Sequence, residues 1–514
     1  MGMTVLRRLI LTVLTALVAL AVGSSLISSW QQPQVTSRLQ LYQADLFLQA
    51  TEWQGEGVDS ATVEQLRQAL LGDEPLQTTL DQYQSVRQDA TNNIDKAETA
   101  IAQAPLDNSG NGSSLARPNR LQIAIQQQVI LQQQLDLRIG LLQAELGETD
   151  AALKTWRILQ QSGSGTDAIA QTATTLSGLW SQPASLPNGA EGLIETNLDG
   201  WFRNQALAQL YGLQNRTSAL RRLQAAEQDA AESALYKVIV VGVLPTVGCL
   251  LGAATLITLL TQRLLRGKDA WIAQNENKGW ETPWTGEIIW QVLILGFFFT
   301  GQLLLPFLLG QLGLNIAALG SRGRALYSMG YYVLMAVIGV SVIYASIRPY
   351  LPLPEGWFQF RWRSNWLLWG VGGYFCALPL MIGISLLNQQ FWQGQGGSNP
   401  LLQTVLEESD SVALIAFLLT ASVAAPIFEE ILFRGFLLPS LTRYMPVWGA
   451  IALSSFVFAA AHLSLSEVLP LMTLGAMLGF VYTRSRNLLA PIVLHSAWNS
   501  VTMIGLFLLG SGSS

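Results

Sequence analysis

Phe428-Glu429-Glu430-Ile431-Leu432-Phe433-Arg434 lies inside an apolar run from Ser411 to about Leu441. As a helix, at about 1.5 Å per residue, such a run crosses a hydrocarbon core of roughly 30 Å. Adjacent carboxylates at that depth are costly unless paired or facing water, so they mark a functional candidate. The chain has only two histidines, His462 and His495, and both fall in the apolar segments that follow. The glutamate pair, Arg434 and every histidine of 514 residues therefore sit between positions 429 and 495, in membrane-like sequence.

Working outward, the apolar half of the composition is unevenly spread. Residues 31–235 are polar and rich in Gln, whereas 236–514 repeat apolar runs of membrane-spanning length. A net charge of −5 gives no reason to expect nucleic-acid binding. Two cysteines and two histidines cannot build a Cys/His metal finger. Cys249 and Cys376 fall in membrane runs and read as small packing residues.

At the N-terminus, Arg7-Arg8 precede an apolar stretch from Leu9 to about Ser29. The stretch suffices as an uncleaved anchor. Its core, Leu9–Val22, with Ala21-Val22-Gly23 behind it, also fits a cleavable signal peptide. Either way residue 31 onward crosses the membrane. Residues 31–235 read as helices, with breaks at Asp107–Gly112 and Ser181–Gly189. Leu121, Ile125, Val129, Leu135, Ile139 and Leu142 form an apolar stripe interrupted by Gln132. Two places resemble tetratricopeptide-type hairpins: 141–156, turning at Gly147, and 206–220, turning at Asn215. A plain helical bundle or coiled coil fits as well. This domain reads as a binding or sensing module for a protein partner, without chemistry of its own.

Eight spans follow, near Val238–Leu260, Ile288–Gly310, Leu326–Ile347, Trp366–Leu387, Val412–Leu437, Val447–Ala461, Val468–Tyr482 and Leu489–Leu508. With the N-terminus inside, Arg263, Arg266, Lys268, Arg348, Arg361, Arg363, Arg443, Arg484 and Arg486 all fall in inner loops, as the positive-inside rule requires. Arg322 and Arg324 are the exception, in an outer loop. Glu407, Glu408 and Asp410 are also outside.

Three patterns carry chemistry. In Glu429-Glu430-x-x-x-Arg434, Arg434 is one helical turn from Glu430, and the two can pair. Glu429 is turned about 100° away and is the freer carboxylate, suited to a general base or acid. Phe458-x-x-x-His462 and His495-x-x-x-Asn499 are further one-turn pairs, and Asn499 can donate to a developing oxyanion. Each histidine alone reads as a core residue; together with the glutamates and Asn499 they read as a site. There is no His-Glu-x-x-His, and no aspartate follows Asp410, which removes zincin-type and aspartyl chemistry here. A serine–histidine dyad using Ser454, Ser455, Ser464 or Ser466 is a weak alternative. Glu429, His462 and His495 could hold Zn²⁺ with an open water position, or activate water without metal. By depth along their helices the three groups do not line up, so convergence calls for tilted or broken helices, and Pro426 and Pro491 offer places for them.

Glu-Glu-x-x-x-Arg, Phe-x-x-x-His and His-x-x-x-Asn, in this order on successive membrane helices, resemble the CAAX-prenyl-endopeptidase and bacteriocin-processing (CPBP, Abi) family. Pro426 and Arg434-Gly435-x-Leu437 fit the same pattern, and the resemblance covers about residues 370–510. It implies an intramembrane endopeptidase, often termed a metalloprotease, acting on a protein or peptide substrate. Glu429 with His462 would activate water, and His495 with Asn499 would steady the oxyanion, with Glu430, Arg434 and Phe458 in support.

The sequence thus predicts an all-α, multi-pass protein of a bacterial cytoplasmic or thylakoid-type membrane, in contact with lipid. Its parts are an anchor or signal (1–30), an extracytoplasmic helical domain (31–235), accessory membrane helices (236–365) and a protease core (366–510). No cofactor is required by the residues; Zn²⁺ is the candidate. The rival reading is a non-catalytic membrane receptor or assembly factor whose polar domain binds partners and whose buried polar cluster only packs helices.

Overall fold

The computed structural model describes residues 4–30, 36–55, 57–102, 116–162, 167–313, 315–392, 396–408 and 410–511. Among the described residues there are helices and no strands. Two units form: a membrane unit of Met1–Val35 with Leu244–Gly510, and a polar unit spanning Thr36–Val243. The protein is an all-α, multi-pass membrane protein.

In the membrane unit we label the long helices α1 (Val5–Ser29), α2 (Leu244–Arg266), α3 (Gly286–Gly310), α4 (Ser321–Ile347), α5 (Trp366–Trp392), α6 (Ser411–Leu441), α7 (Val447–Ala460), α8 (Val468–Ser485) and α9 (Leu489–Gly510). All but α7 belong to helices long and apolar enough to cross a bilayer. With 14 residues α7 is only about 21 Å long, short of the full thickness. It nonetheless joins two opposite loop layers.

One layer gathers the arginine-rich loops. Asn275 donates to the Arg484 carbonyl, the Trp280 amide to Thr442, and Asn487 to the Arg361 carbonyl. Arg8 at the start of α1 pairs with Glu287 at the start of α3. In the other layer the Leu465 amide donates to Ser29, at the far end of α1. Arg322 pairs with Asp410 at 2.9 Å. One of the two arginines that depart from the positive-inside pattern is thus paired with an acidic residue from another loop.

Small residues set the helix spacing, because lipid provides no hydrophobic drive and backbones associate by close approach. A Cβ at Gly252 of α2 would fall 1.9 Å from the Phe375 carbonyl of α5. One at Gly339 of α4 would fall 2.7 Å from the ring of Phe428, the residue before the glutamate pair. Pro491 sits in the first turn of α9, where its missing N–H costs nothing, so it starts that helix and does not break it.

In the polar unit, helices end at the two predicted turns. Gly147 and Asn215 are left-handed, with φ of 82° and 54°. The Glu148 and Arg216 amides cap the preceding helices by bonding back to the Gln143 and Tyr211 carbonyls. Trp156 packs on Gly140, where any Cβ would collide with the indole, and donates to the Leu137 carbonyl. The predicted stripe is core only in its second half: Leu135, Ile139 and Leu142 are buried, whereas Val129 is exposed. The side chain of Leu121 and the break at Asp107–Gly112 lie outside the described residues. The break at Ser181–Gly189 separates two helices, ending at Trp180 and starting at Ala190.

Candidate active site

The site is built on α6, which is not a regular α-helix. Thr420–Ala424 and Glu430–Leu437 are π-helical, the form frequent at functional sites. Pro426 supplies a cause for the first: in a π register the Ala421 carbonyl looks to residue 426, a proline without an N–H. Asn499 on α9 satisfies that carbonyl instead, donating from Nδ2 at 2.7 Å. The carboxamide read as an oxyanion donor therefore spends one N–H on stitching α9 to α6.

Glu430 and Arg434 are both fully buried and pair at 2.8 Å, Nη1 to Oε1, as the one-turn spacing suggests. Arg434 also donates from Nη2 to the Gly475 carbonyl at 3.2 Å, and its guanidinium lies 4.5 Å from the centre of the Phe458 ring. Gly475 is placed for this: a side chain there would press on Ser455 of α7 at 3.0 Å. One arginine thereby ties α6, α7 and α8 together.

His495 is also buried, and its Nδ1 lies 2.9 Å from the same Glu430 oxygen, Oε1. A carboxylate only accepts, so Nδ1 carries the hydrogen of this bond. Nε2 is 3.9 Å from Glu429 Oε2, too far for a direct bond and near enough for one water between them. Glu429 is less enclosed than Glu430 and accepts a 2.7 Å hydrogen bond at Oε1 from Tyr332 of α4.

Tyr332 was not singled out in the sequence. It carries no motif and precedes Glu429 by 97 positions. The one available signal is Gly339 two turns along the same helix, which lets α4 close on Phe428.

His462 stands apart from the glutamates. Its Nδ1 bonds the Phe458 carbonyl at 2.9 Å, and no ion pair within 4.0 Å links it to Glu429 or Glu430. The ring of Phe458 connects the two histidines, with centroids 4.9 Å from His462 and 5.8 Å from His495. The structure thus gathers Glu429, Glu430, Arg434, Phe458 and His495, with His462 against the Phe458 ring.

The four serines read as dyad candidates are all turned elsewhere. Ser454, Ser455, Ser464 and Ser466 bond backbone carbonyls of Phe433, Ile451, Gly396 and Gly397 respectively. Among the described residues no three His, Cys, Asp or Glu side chains stand where they could share a metal ion. Glu429, His462 and His495 as they stand do not fit a Zn²⁺ site.

Residues 411–501, which contain every site residue named from the motifs, match the family model described as type II CAAX prenyl endopeptidase Rce1-like. Over 138 residues, 27% of this chain, the sequence is 28% identical to a Bacillus subtilis (strain 168) protein named "Putative membrane peptidase YdiL", covering 55% of it. Over 192 residues, 36% of the chain, it is 29% identical to an Escherichia coli protein named "Uncharacterized 24.3 kDa protein", covering 82% of that protein. The chain spans about half the length of the Bacillus relative. No solved structure matches. The matched segment is the one that carries the three motifs, so the family model and the motifs point to the same resemblance.

Proposed function

We propose that the membrane unit is an intramembrane endopeptidase that hydrolyses a peptide bond of a protein or peptide substrate, with Glu429 as general base. One observation carries the reading: Glu429 Oε2 and His495 Nε2 face each other at 3.9 Å, and with His495 neutral both accept. A water between them donates one hydrogen to each and turns its lone pairs outward. Glu429 takes the proton as the oxygen attacks the scissile carbonyl carbon. The oxyanion forms toward His462 and the remaining N–H of Asn499. His462 has its Nδ1–H tied to the Phe458 carbonyl and, when protonated, donates from Nε2. Glu429 then passes its proton to the leaving amine, and the bond breaks.

In this reading Glu430 and Arg434 are positioning residues. They fix the tautomer and plane of His495, as a carboxylate behind a histidine does in many sites. His495, and not His462, is the nearer partner of Glu429, which exchanges the roles suggested by motif order. Residues 36–243 would lie on the non-cytoplasmic face of a bacterial or thylakoid-type membrane and bind a protein partner.

The test is Glu429→Gln in the full-length protein. Glutamine still accepts from Tyr332, so helix packing is kept while the base is lost. Comparing membrane-protein termini between cells carrying wild type and variant should reveal cleavages that vanish. Unchanged termini would leave the receptor reading standing.

A further inference from the structure

The membrane unit also has a cavity away from the glutamate pair. A chamber of about 510 Å³ lies between α2, α5 and α8, closed at one end by residues 271–276. None of Glu429, Glu430, His462, His495 or Asn499 lines it. Its volume is in the range of small-molecule sites, roughly 300–1,000 Å³. The walls are apolar, with Leu256, Leu259, Leu368, Met477 and Phe480 among them.

The closed end is different. Arg263, Glu276 and Arg484 line it. Arg263 and Glu276 neutralise each other at 2.8 Å. Arg484 is 1% exposed, bonds the Ile272 carbonyl through Nε, and packs its guanidinium on Phe480 at 4.7 Å. Its Nη1 has no hydrogen-bond partner, and no carboxylate pairs with it within 4.0 Å among the described residues. A buried guanidinium with a free donor is costly in apolar surroundings and calls for an anion. The chamber therefore presents one uncompensated positive charge at the end where the arginine-rich loops lie, and an apolar slot beside it.

We propose that this chamber binds an anionic phospholipid, its phosphate against Arg484 and an acyl chain along the slot. Guanidinium groups match phosphate oxygens in geometry, and basic pockets between membrane helices favour such headgroups. A zwitterionic lipid would set its own cation against the same end. Because Arg484 holds the 271–276 segment and α8 also holds Arg434 through Gly475, lipid occupancy would brace the scaffold behind the candidate site without touching it.

The experiment uses full-length protein purified in detergent and freed of lipid, titrated with phosphatidylglycerol, phosphatidylcholine or glycerol 3-phosphate. Bound lipid is counted by native mass spectrometry and stability followed by thermal denaturation. We expect phosphatidylglycerol to bind about fivefold more tightly than phosphatidylcholine, whose extra cation meets the same positive end at a cost on the order of 1 kcal/mol per charge, and glycerol 3-phosphate not to bind. Arg484→Gln should abolish the preference. Because that variant can weaken the fold, Gly372→Leu provides an independent arm: Gly372 lines the chamber, and a Cβ there meets nothing within 4 Å. The filled variant should fold and lose the lipid. Equal binding of both lipids, tight binding of glycerol 3-phosphate, or full retention of phosphatidylglycerol by Gly372→Leu would each overturn the assignment.

Discussion

The hydroxyl of Tyr332 donates to Glu429 Oε1 at 2.7 Å, joining α4 to the first carboxylate of the pair. The bond occupies one carboxylate oxygen and leaves Oε2 facing His495. Tyr332→Phe keeps the ring that packs edge-on to Phe428 and removes only this donor. A hydrogen bond to a charged group contributes about 1.5–3 kcal/mol, so cleavage of a substrate lost in Glu429→Gln should slow by roughly 10- to 100-fold. Initial rates in proteoliposomes would measure it. An unchanged rate would remove Tyr332 from the site.

The two glutamates should separate by stability. Glu430→Ala strands Arg434 in a fully buried position, and an uncompensated buried charge costs about 3–5 kcal/mol. Glu429→Ala releases only a tyrosine hydroxyl, at about 1–3 kcal/mol. Thermal denaturation in detergent should therefore place Glu430→Ala well below Glu429→Ala. Equal melting temperatures would mean that Glu430 does not position the site.

The pairing of Glu430 with Arg434 was legible because both residues lie on one helix and the spacing of one turn survives a change from α to π register. The turns at Gly147 and Asn215 were legible for a similar reason, since a left-handed residue between two helices is a local property. What sequence could not show is long-range. Tyr332 meets Glu429 only because Gly339 admits Phe428. His495 falls on Glu430, and only then within reach of Glu429, because α9 starts at Leu489, with Pro491 inside its first turn. Val447–Ala460 has the hydropathy of a span without its length, and only the loops at its two ends reveal that it joins both layers.

The polar unit offers a pH test outside the membrane. Asp45 is pushed up to about 6 by its removal from water, which Arg138, 4.0 Å away, and the Tyr83 hydroxyl offset only in part. Its ordinary value is 3.8, so the folded state holds this proton more tightly than the unfolded one. The contribution to stability is fully present below pH 3.8 and is lost as pH rises through about 6. Asp45→Asn should flatten that part of the stability profile, because the amide does not titrate. Chemical denaturation of the full-length protein between pH 4 and 7, read by amide-exchange protection of residues 36–51, would show it. An identical slope in the variant would exclude Asp45 as its source.

The two histidines should fail in different ways. His495 is buried and shares Glu430 with Arg434, so His495→Ala removes a hydrogen bond from the network that ties α6 to α9. It should lower both the melting temperature and the rate. His462 is partly exposed and bonds one backbone carbonyl, so His462→Ala should slow cleavage by about 10²–10³-fold, the size of a lost oxyanion donor, with little change in melting. Residues that act as a unit lose activity non-additively. Adding His495→Ala to Glu429→Ala should thus slow the reaction little further, because the shared water is already gone. Rates and melting curves for both single variants and the double variant would decide it. If the losses multiply in the double variant, Glu429 and His495 do not hold one water, and the 3.9 Å between them is packing alone.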